Sequence, residues 1–382
     1  MKTSQKEENM IIKNIIFNHK YNLFQQFLVV GIDPKIMYNI NEYEITSLQE
    51  PYSTPKIISK YPNLNLPYLN IPDIIVASHC FPQGIINSIV EYNENDLSTK
   101  EKKTESFMFS LENMYPGEKI NSLRTNKVYY TCLLFYENIE NYRNCINLRK
   151  NSSNIDIFVK NKGLLIPKVI CLSSFNPFYE QTKYILQKIR NYVNNFNYNN
   201  KSMDNLNAYP VEKIIEGIIF NIPALPRGNF SVKLNTDLFS YKSNFNFSES
   251  KLSPNENDIK QIIFQEAPPN ENPRKMINYS LLMYYFRIDE IFEVIKYIIL
   301  EEPILFFSED KEALSNIIEG LISLIYPLEY PHPVISILPE QYYSLISLFK
   351  HFIFGINNKY SEEILNKKFI FDGIKFIRII RL

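Results

Sequence analysis

The chain has 382 residues, and its 41 lysines and arginines balance 41 aspartates and glutamates, so the formal net charge is zero. A hydrophobic share of 45% supplies real cores and argues against wholesale disorder. Zero charge argues against a nucleic-acid protein or a polybasic membrane-surface protein, both of which need a surplus of lysine and arginine.

The length predicts two or three domains of ordinary size. In the first part, Phe27–Gly31, Ile74–Ser78 and Val128–Phe135 are apolar runs of strand length, the last rich in aromatic and β-branched residues. Residues 137–162 read as a polar linker. Next, Lys168–Ser173 reads as a buried strand and Tyr179–Tyr192 as a helix. Asn-rich stretches near 191–207 and 240–258 read as loop insertions, which surface loops tolerate at small entropic cost. A helix over Asp289–Leu300 places Ile291, Ile295, Ile298 and Ile299 on one face. Ile304–Phe307 is a short strand, and Ser308 or Asp310 caps a helix carrying Leu314, Ile317, Ile318, Leu321 and Ile325 that Pro327 ends. A strand over Val334–Leu338 and a short helix near Gln341–Phe349 complete an α/β layered pattern.

Chemistry is harder to find. The nine glycines are sparse, the closest two being Gly217 and Gly228, eleven apart. That spacing excludes G-x-x-x-x-G-K, G-x-G-x-x-G and G-x-S-x-G loops, so no standard glycine loop holds a nucleotide. Cys80, Cys132, Cys145 and Cys171 form no C-x-x-C pair, and His19, His79, His332 and His351 form no close pair, which argues against a zinc site. The thiols read as buried or idle in a reducing compartment. The polar opening MKTSQKEENM is no signal peptide, and no stretch reaches membrane-spanning length, so the expectation is a soluble intracellular protein. Glu301-Glu302 and Glu309-Asp310 read as solvated helix ends. The best local candidate is Tyr326-Pro327-Leu328-Glu329-Tyr330-Pro331-His332-Pro333. Glu329 and His332 could pair there, or the prolines could simply stiffen a connection.

The order of motifs resembles the DENN family of exchange factors for Rab-type GTPases. Phe27–Pro34, Phe81-Pro82-Gln83-Gly84 and Tyr130–Glu137 are similar to its upstream part. Its core pattern is matched in order by Ile166–Ser173, Pro210–Ile215, Ile222–Pro226, Pro303–Ser308, Tyr326–Pro333, Ile337–Pro339 and Phe352–Ile356. Family members usually carry tryptophan and glutamine just before the histidine, where this chain has Tyr330 and Pro331.

The resemblance implies two α/β lobes: a longin-like lobe over residues 1–136 and a larger core lobe over 163–360. It leaves 361–382 for at most the start of the family's third, helical part. It implies a regulator and not an enzyme with side-chain chemistry, with no cofactor and no metal. The implied partner is a Rab-family small GTPase, GDP-bound or nucleotide-free, with Glu329, Tyr330 and His332 at or near the facing cleft. The implied location is cytoplasmic, reaching endomembranes through that partner. Two other functions stay open: a non-catalytic GTPase-binding scaffold, or a folliculin-like GTPase-activating component using Arg227 or Arg287.

Overall fold

The computed structural model describes residues 21–33, 54–64, 66–93, 104–113, 127–138, 162–199, 211–224, 231–235, 261–265, 279–357 and 374–379. It is mixed α/β. Strands β1 (Phe24–Gly31), β2 (Lys56–Tyr61), β3 (Val90–Asn93), β4 (Glu105–Glu112), β5 (Lys127–Asn138) and β6 (Lys162–Ser174) form one antiparallel sheet in the order β2-β1-β6-β5-β4. β6 is long enough to share one edge between β1 and β3. Residues 137–162, expected as a linker, thus join neighbouring strands of a single sheet.

Both faces of this sheet are covered, and the strand sequences alternate accordingly. On β5, Val128, Tyr130, Cys132 and Leu134 face one core while Leu133 and Phe135 face another. The second core is closed by helices α2 (Tyr179–Asn199) and α3 (Val211–Asn221), which pack there through Ile185, Leu186, Ile189, Ile215, Ile218 and Ile219. Helix α1 (Asp73–Cys80) packs instead on the first face through Val76, Ala77 and Cys80. Strands β7 (Ser231–Asn235) and β8 (Gln261–Gln265) form a separate antiparallel pair whose Ile262 and Phe264 reach the second core.

The later chain gives helices α4 (Ser280–Tyr285) and α5 (Ile288–Ile299), strand β9 (Ile304–Phe307), helix α6 (Lys311–Leu324), strand β10 (Val334–Ile335), helix α7 (Leu345–Leu348) and strands β11 (Ile353–Ile356) and β12 (Lys375–Arg378). The strands form a parallel sheet, β10-β11-β9-β12. On β9, Ile304 and Phe306 join the first core while Leu305 and Phe307 face a third cluster with Tyr343, Ile346 and Phe354. The first core therefore runs continuously between the two sheets, with α6 as its shared wall.

Asp310, not Ser308, caps α6, accepting hydrogen bonds from the backbone N–H groups of Glu312 and Ala313 at 2.8 and 3.1 Å. Leu314, Ile317, Ile318 and Leu321 are fully buried, each contributing about 1.5–3 kcal/mol relative to exposure. The polar face of α6 lies against β4, the outer strand of the first sheet. Ser106 donates to Glu312 at 3.0 Å, the Met108 N–H donates to Ser315 at 3.3 Å and Ser110 donates to Glu319 at 3.3 Å.

Five expectations are corrected. Ile74–Ser78 lies in α1 and forms no strand: Pro72 and Asp73 start a helix there, and so short a run carries no period to distinguish the two. The expected loop insertion near 191–207 begins inside a helix, since α2 runs on to Asn199. The buried face of α5 is Ile291, Val294 and Ile298, with Ile299 exposed. The strand expected over Val334–Leu338 stops at Ile335, and the helix near Gln341–Phe349 divides into a 3-10 turn, Glu340–Tyr342, and α7.

Gly355 marks a close approach of β11 to the backbone just after β10 and to side chains of α6. A Cβ there would stand 2.0 Å from the Ser336 carbonyl oxygen and 2.9 Å from both Ile318 and Leu314. Because the nearest atom is backbone, it cannot swing aside. Gly355→Ala should lower unfolding free energy by roughly 3 kcal/mol, read as a shifted urea midpoint; an unchanged midpoint would refute this packing.

Candidate functional site

The proline-rich turn after α6 holds all three sequence candidates. Glu329 is exposed, while Tyr330 is half-buried against the first core. Burial raises the Tyr330 hydroxyl pKa, with the nearby Glu301 charge adding to it. His332 lies between Pro331 and Pro333, its ring edge-on to Tyr330 at 5.4 Å. Glu329 and His332 share the turn, but the acid that His332 meets is Glu301: Nε2 lies 2.8 Å from its carboxylate.

Glu301 follows α5 with φ 57°, the left-handed region that few non-glycine residues adopt. The conformation turns the chain out of the helix, and the Glu301 N–H donates to the Ile298 carbonyl at 3.1 Å. From this position the side chain reaches His332, and the backbone carbonyl accepts from His351 Nδ1 at 2.6 Å. The His332 and His351 rings stack with centroids 4.8 Å apart. Sequence reasoning read Glu301 as a solvated helix end and saw no close histidine pair. Residues 301, 332 and 351 are too widely separated for spacing to reveal them.

The turn Phe81-Pro82-Gln83-Gly84 also acquires a tertiary role. Gly84 has φ 81° and donates its N–H to the Phe81 carbonyl at 2.9 Å. The Pro82 carbonyl accepts from the Glu340 N–H at 2.7 Å, and the Gln83 side chain donates to the Asn357 carbonyl. This turn thereby ties the antiparallel part of the molecule to the parallel sheet.

Three of the four thiols also converge. Cys132 and Cys171 are register partners on β5 and β6 with Sγ atoms 2.9 Å apart, and Cys80 lies 3.5 Å from Cys171. All three are buried in the first core, as expected for buried thiols, but their meeting was invisible in their spacing. Burial pushes the Cys132 and Cys171 thiols up, so both are protonated at neutral pH. Cys145, His19 and Arg227 lie outside the described residues, as does the expected insertion near 240–258. Arg287 precedes α5 and pairs with Asp289 at 2.9 Å, anchored to the helix start.

The DENN (AEX-3) domain family model matches residues 165–371, and the chain belongs to that family. It is similar to mouse DENN domain-containing protein 2D, with 22% identity over 98 residues, 26% of this chain and 21% of that protein. The human protein of the same name matches to the same extent. Mouse DENN domain-containing protein 3 is 25% identical over 119 residues, 31% of this chain and 9% of that protein. The matched region thus spans about a fifth or less of these relatives' length. Among the described residues no helix is long and apolar enough to cross a membrane.

His79, on α1, provides a pH test of the fold. Its Nδ1–H donates to the Ile75 carbonyl at 2.8 Å, and its ring stacks on Phe109 at 5.1 Å. Burial lowers its pKa to about 4, so the folded protein holds it neutral. The unfolded chain binds that proton near pH 6.5, so stability is unaffected above 6.5 and falls as pH drops toward 4. In urea titrations the loss attributable to His79 should reach about 3 kcal/mol at pH 4. His79→Phe should flatten this component; an identical pH dependence in the variant would refute it.

Proposed function

We propose that the chain is a DENN-type guanine-nucleotide exchange factor that promotes GDP release from a Rab-family small GTPase in membrane trafficking. The family match over residues 165–371 carries the reading. The longin-like lobe is then built on the six-stranded sheet with α2 and α3, and the core lobe on the parallel sheet. Because β6 is central to the first sheet, the boundary between lobes falls beyond residue 174 in this reading. The GTPase lies across both lobes, in its GDP-bound and nucleotide-free states, with Glu329, Tyr330 and His332 at or near the cleft.

Surface chemistry supports a protein partner. Ile288, Phe292 and Ile299 are 65%, 67% and 55% exposed along α5, facing away from its buried Ile291, Val294 and Ile298. Leu328 and Tyr326, within the candidate turn, are exposed as well. Contiguous exposed apolar residues of this kind mark interaction surfaces.

The mechanism needs no cofactor and no reacting side chain. The factor holds the switch regions of the GTPase in a conformation that binds Mg²⁺ and GDP poorly. GDP leaves, and GTP then enters and displaces the factor. By linkage, each tenfold loss of nucleotide affinity corresponds to about 1.4 kcal/mol of tighter binding to the empty GTPase. The protein acts in the cytoplasm and reaches endomembranes through its partner.

Release of labelled GDP from a panel of purified Rab proteins tests this. Substoichiometric protein should accelerate release from at least one of them. Glu329→Ala and His332→Ala should each reduce that acceleration about tenfold with the thermal midpoint retained. Binding without release would leave a scaffold, and faster GTP hydrolysis would make it an activating component. Exchange unchanged in both variants would remove the turn from the interface.

A further inference from the structure

We propose that Glu301, His332 and His351 form a binding site for a divalent transition-metal ion, with Zn²⁺ the best match. One ligand-capable atom from each residue lies within 4.8 Å of the other two. Two imidazoles and one carboxylate are an established zinc donor set that leaves a fourth position open. The set also suits other first-row ions, but not Mg²⁺ or Ca²⁺, which prefer oxygen donors throughout.

The spacing of the ligands is already close to what an ion requires, and the two stacked rings must turn so that both lone pairs aim at it. Two imidazoles bound at about 2.0–2.1 Å to one tetrahedral ion have ring centres about 5 Å apart. The rings of His332 and His351 stand 4.8 Å apart. His351 donates its Nδ1–H to the Glu301 carbonyl, which fixes the tautomer with the lone pair on Nε2. A backbone carbonyl in that role is the usual outer partner of a metal-bound histidine. The Nε2 of His332 meets the Glu301 carboxylate at 2.8 Å, and an ion would replace the proton between them as the two atoms widen to about 3.3 Å.

Each ligand is held by a different restraint. Glu301 is fixed by its left-handed backbone after α5, His332 by its flanking prolines, and His351 by its position just before β11. The site is accessible from solvent, since Glu301 is 47% exposed in its side chain and His332 27%. A bound ion would cross-link the end of α5, the turn after α6 and the approach to β11. This inference does not rest on the proposed exchange activity and is tested without a GTPase.

The test is calorimetric titration of the metal-free full chain with ZnCl₂ at pH 7.5, with Co²⁺ absorption spectra as a second readout. Saturable binding of Zn²⁺ at this site should be lost by at least tenfold in His351→Gln and in His332→Ala. The Co²⁺ spectrum should show nitrogen and oxygen ligation without thiolate charge transfer, which separates this site from Cys80, Cys132 and Cys171. Zn²⁺ should raise the thermal midpoint of the wild type but not of His351→Gln. His351 is exposed, so its variant decides the matter independently of His332→Ala. No saturable binding, binding unchanged in His351→Gln, or a thiolate spectrum would each overturn the proposal.

Discussion

Helix α6 has every residue from Ala313 to Ser323 buried, including Ser315, Asn316, Glu319 and Ser323. A helix enclosed on all sides cannot leave polar groups facing hydrocarbon, so its position depends on finding partners for them. The edge of the first sheet supplies them for Ser315 and Glu319, while Asn316 and Ser323 donate to the Glu312 and Gly320 carbonyls of the helix itself. Residues 106, 108 and 110 repeat every two positions along β4, and residues 312, 315 and 319 repeat with the helical period along α6. The two spacings meet in three hydrogen bonds. Lys311 pairs with Glu105 at 2.8 Å, while Lys183 of α2 and Tyr179 extend the same network to Glu312 and Ser106.

This seam answers two demands together. An outer strand with unpaired backbone groups invites non-native pairing, and α6 covers it. The Met108 N–H is taken by Ser315, and its carbonyl accepts from Ser336 at 3.4 Å. On the opposite side, the apolar residues of α6 complete the core against β9 and β11. The antiparallel and parallel sheets are therefore joined by one buried helix with an apolar and a polar side. The turn at Pro82–Gly84 adds a second tie some distance along the chain.

The end of α5 depends on the same scaffold. Glu301 can keep a positive φ because its carbonyl is held by His351 and its carboxylate by His332, both placed by elements of the parallel sheet. The residues that matter here are ordinary in isolation. A glutamate after a helix, a histidine among prolines and an exposed histidine acquire meaning only once β9 and β11 lie side by side.

The sequence by itself determined several elements: β1, β5, β6 and β9 follow from apolar runs of strand length and α2, α5 and α6 from helical patterning, with Asp310 and Pro327 punctuating the last helix. Ordered motifs also determined the family. What only the tertiary structure decided were features in which local pattern is silent. The short apolar run at 74–78 fits helix or strand equally, and packing of Val76, Ala77 and Cys80 against the first sheet resolved the choice. The outward stripe of α5 looked like part of its core face because isoleucine occurs on both sides. The thiol cluster and the Glu301–His332–His351 cluster join residues far apart in the chain, and their proximity comes from strand register and helix placement. The zero net charge and scarce glycine that first suggested a neutral protein without a nucleotide loop are properties of composition. Where its few histidines and cysteines meet is a property of folding, because long-range pairing sets distances that spacing along the chain does not encode.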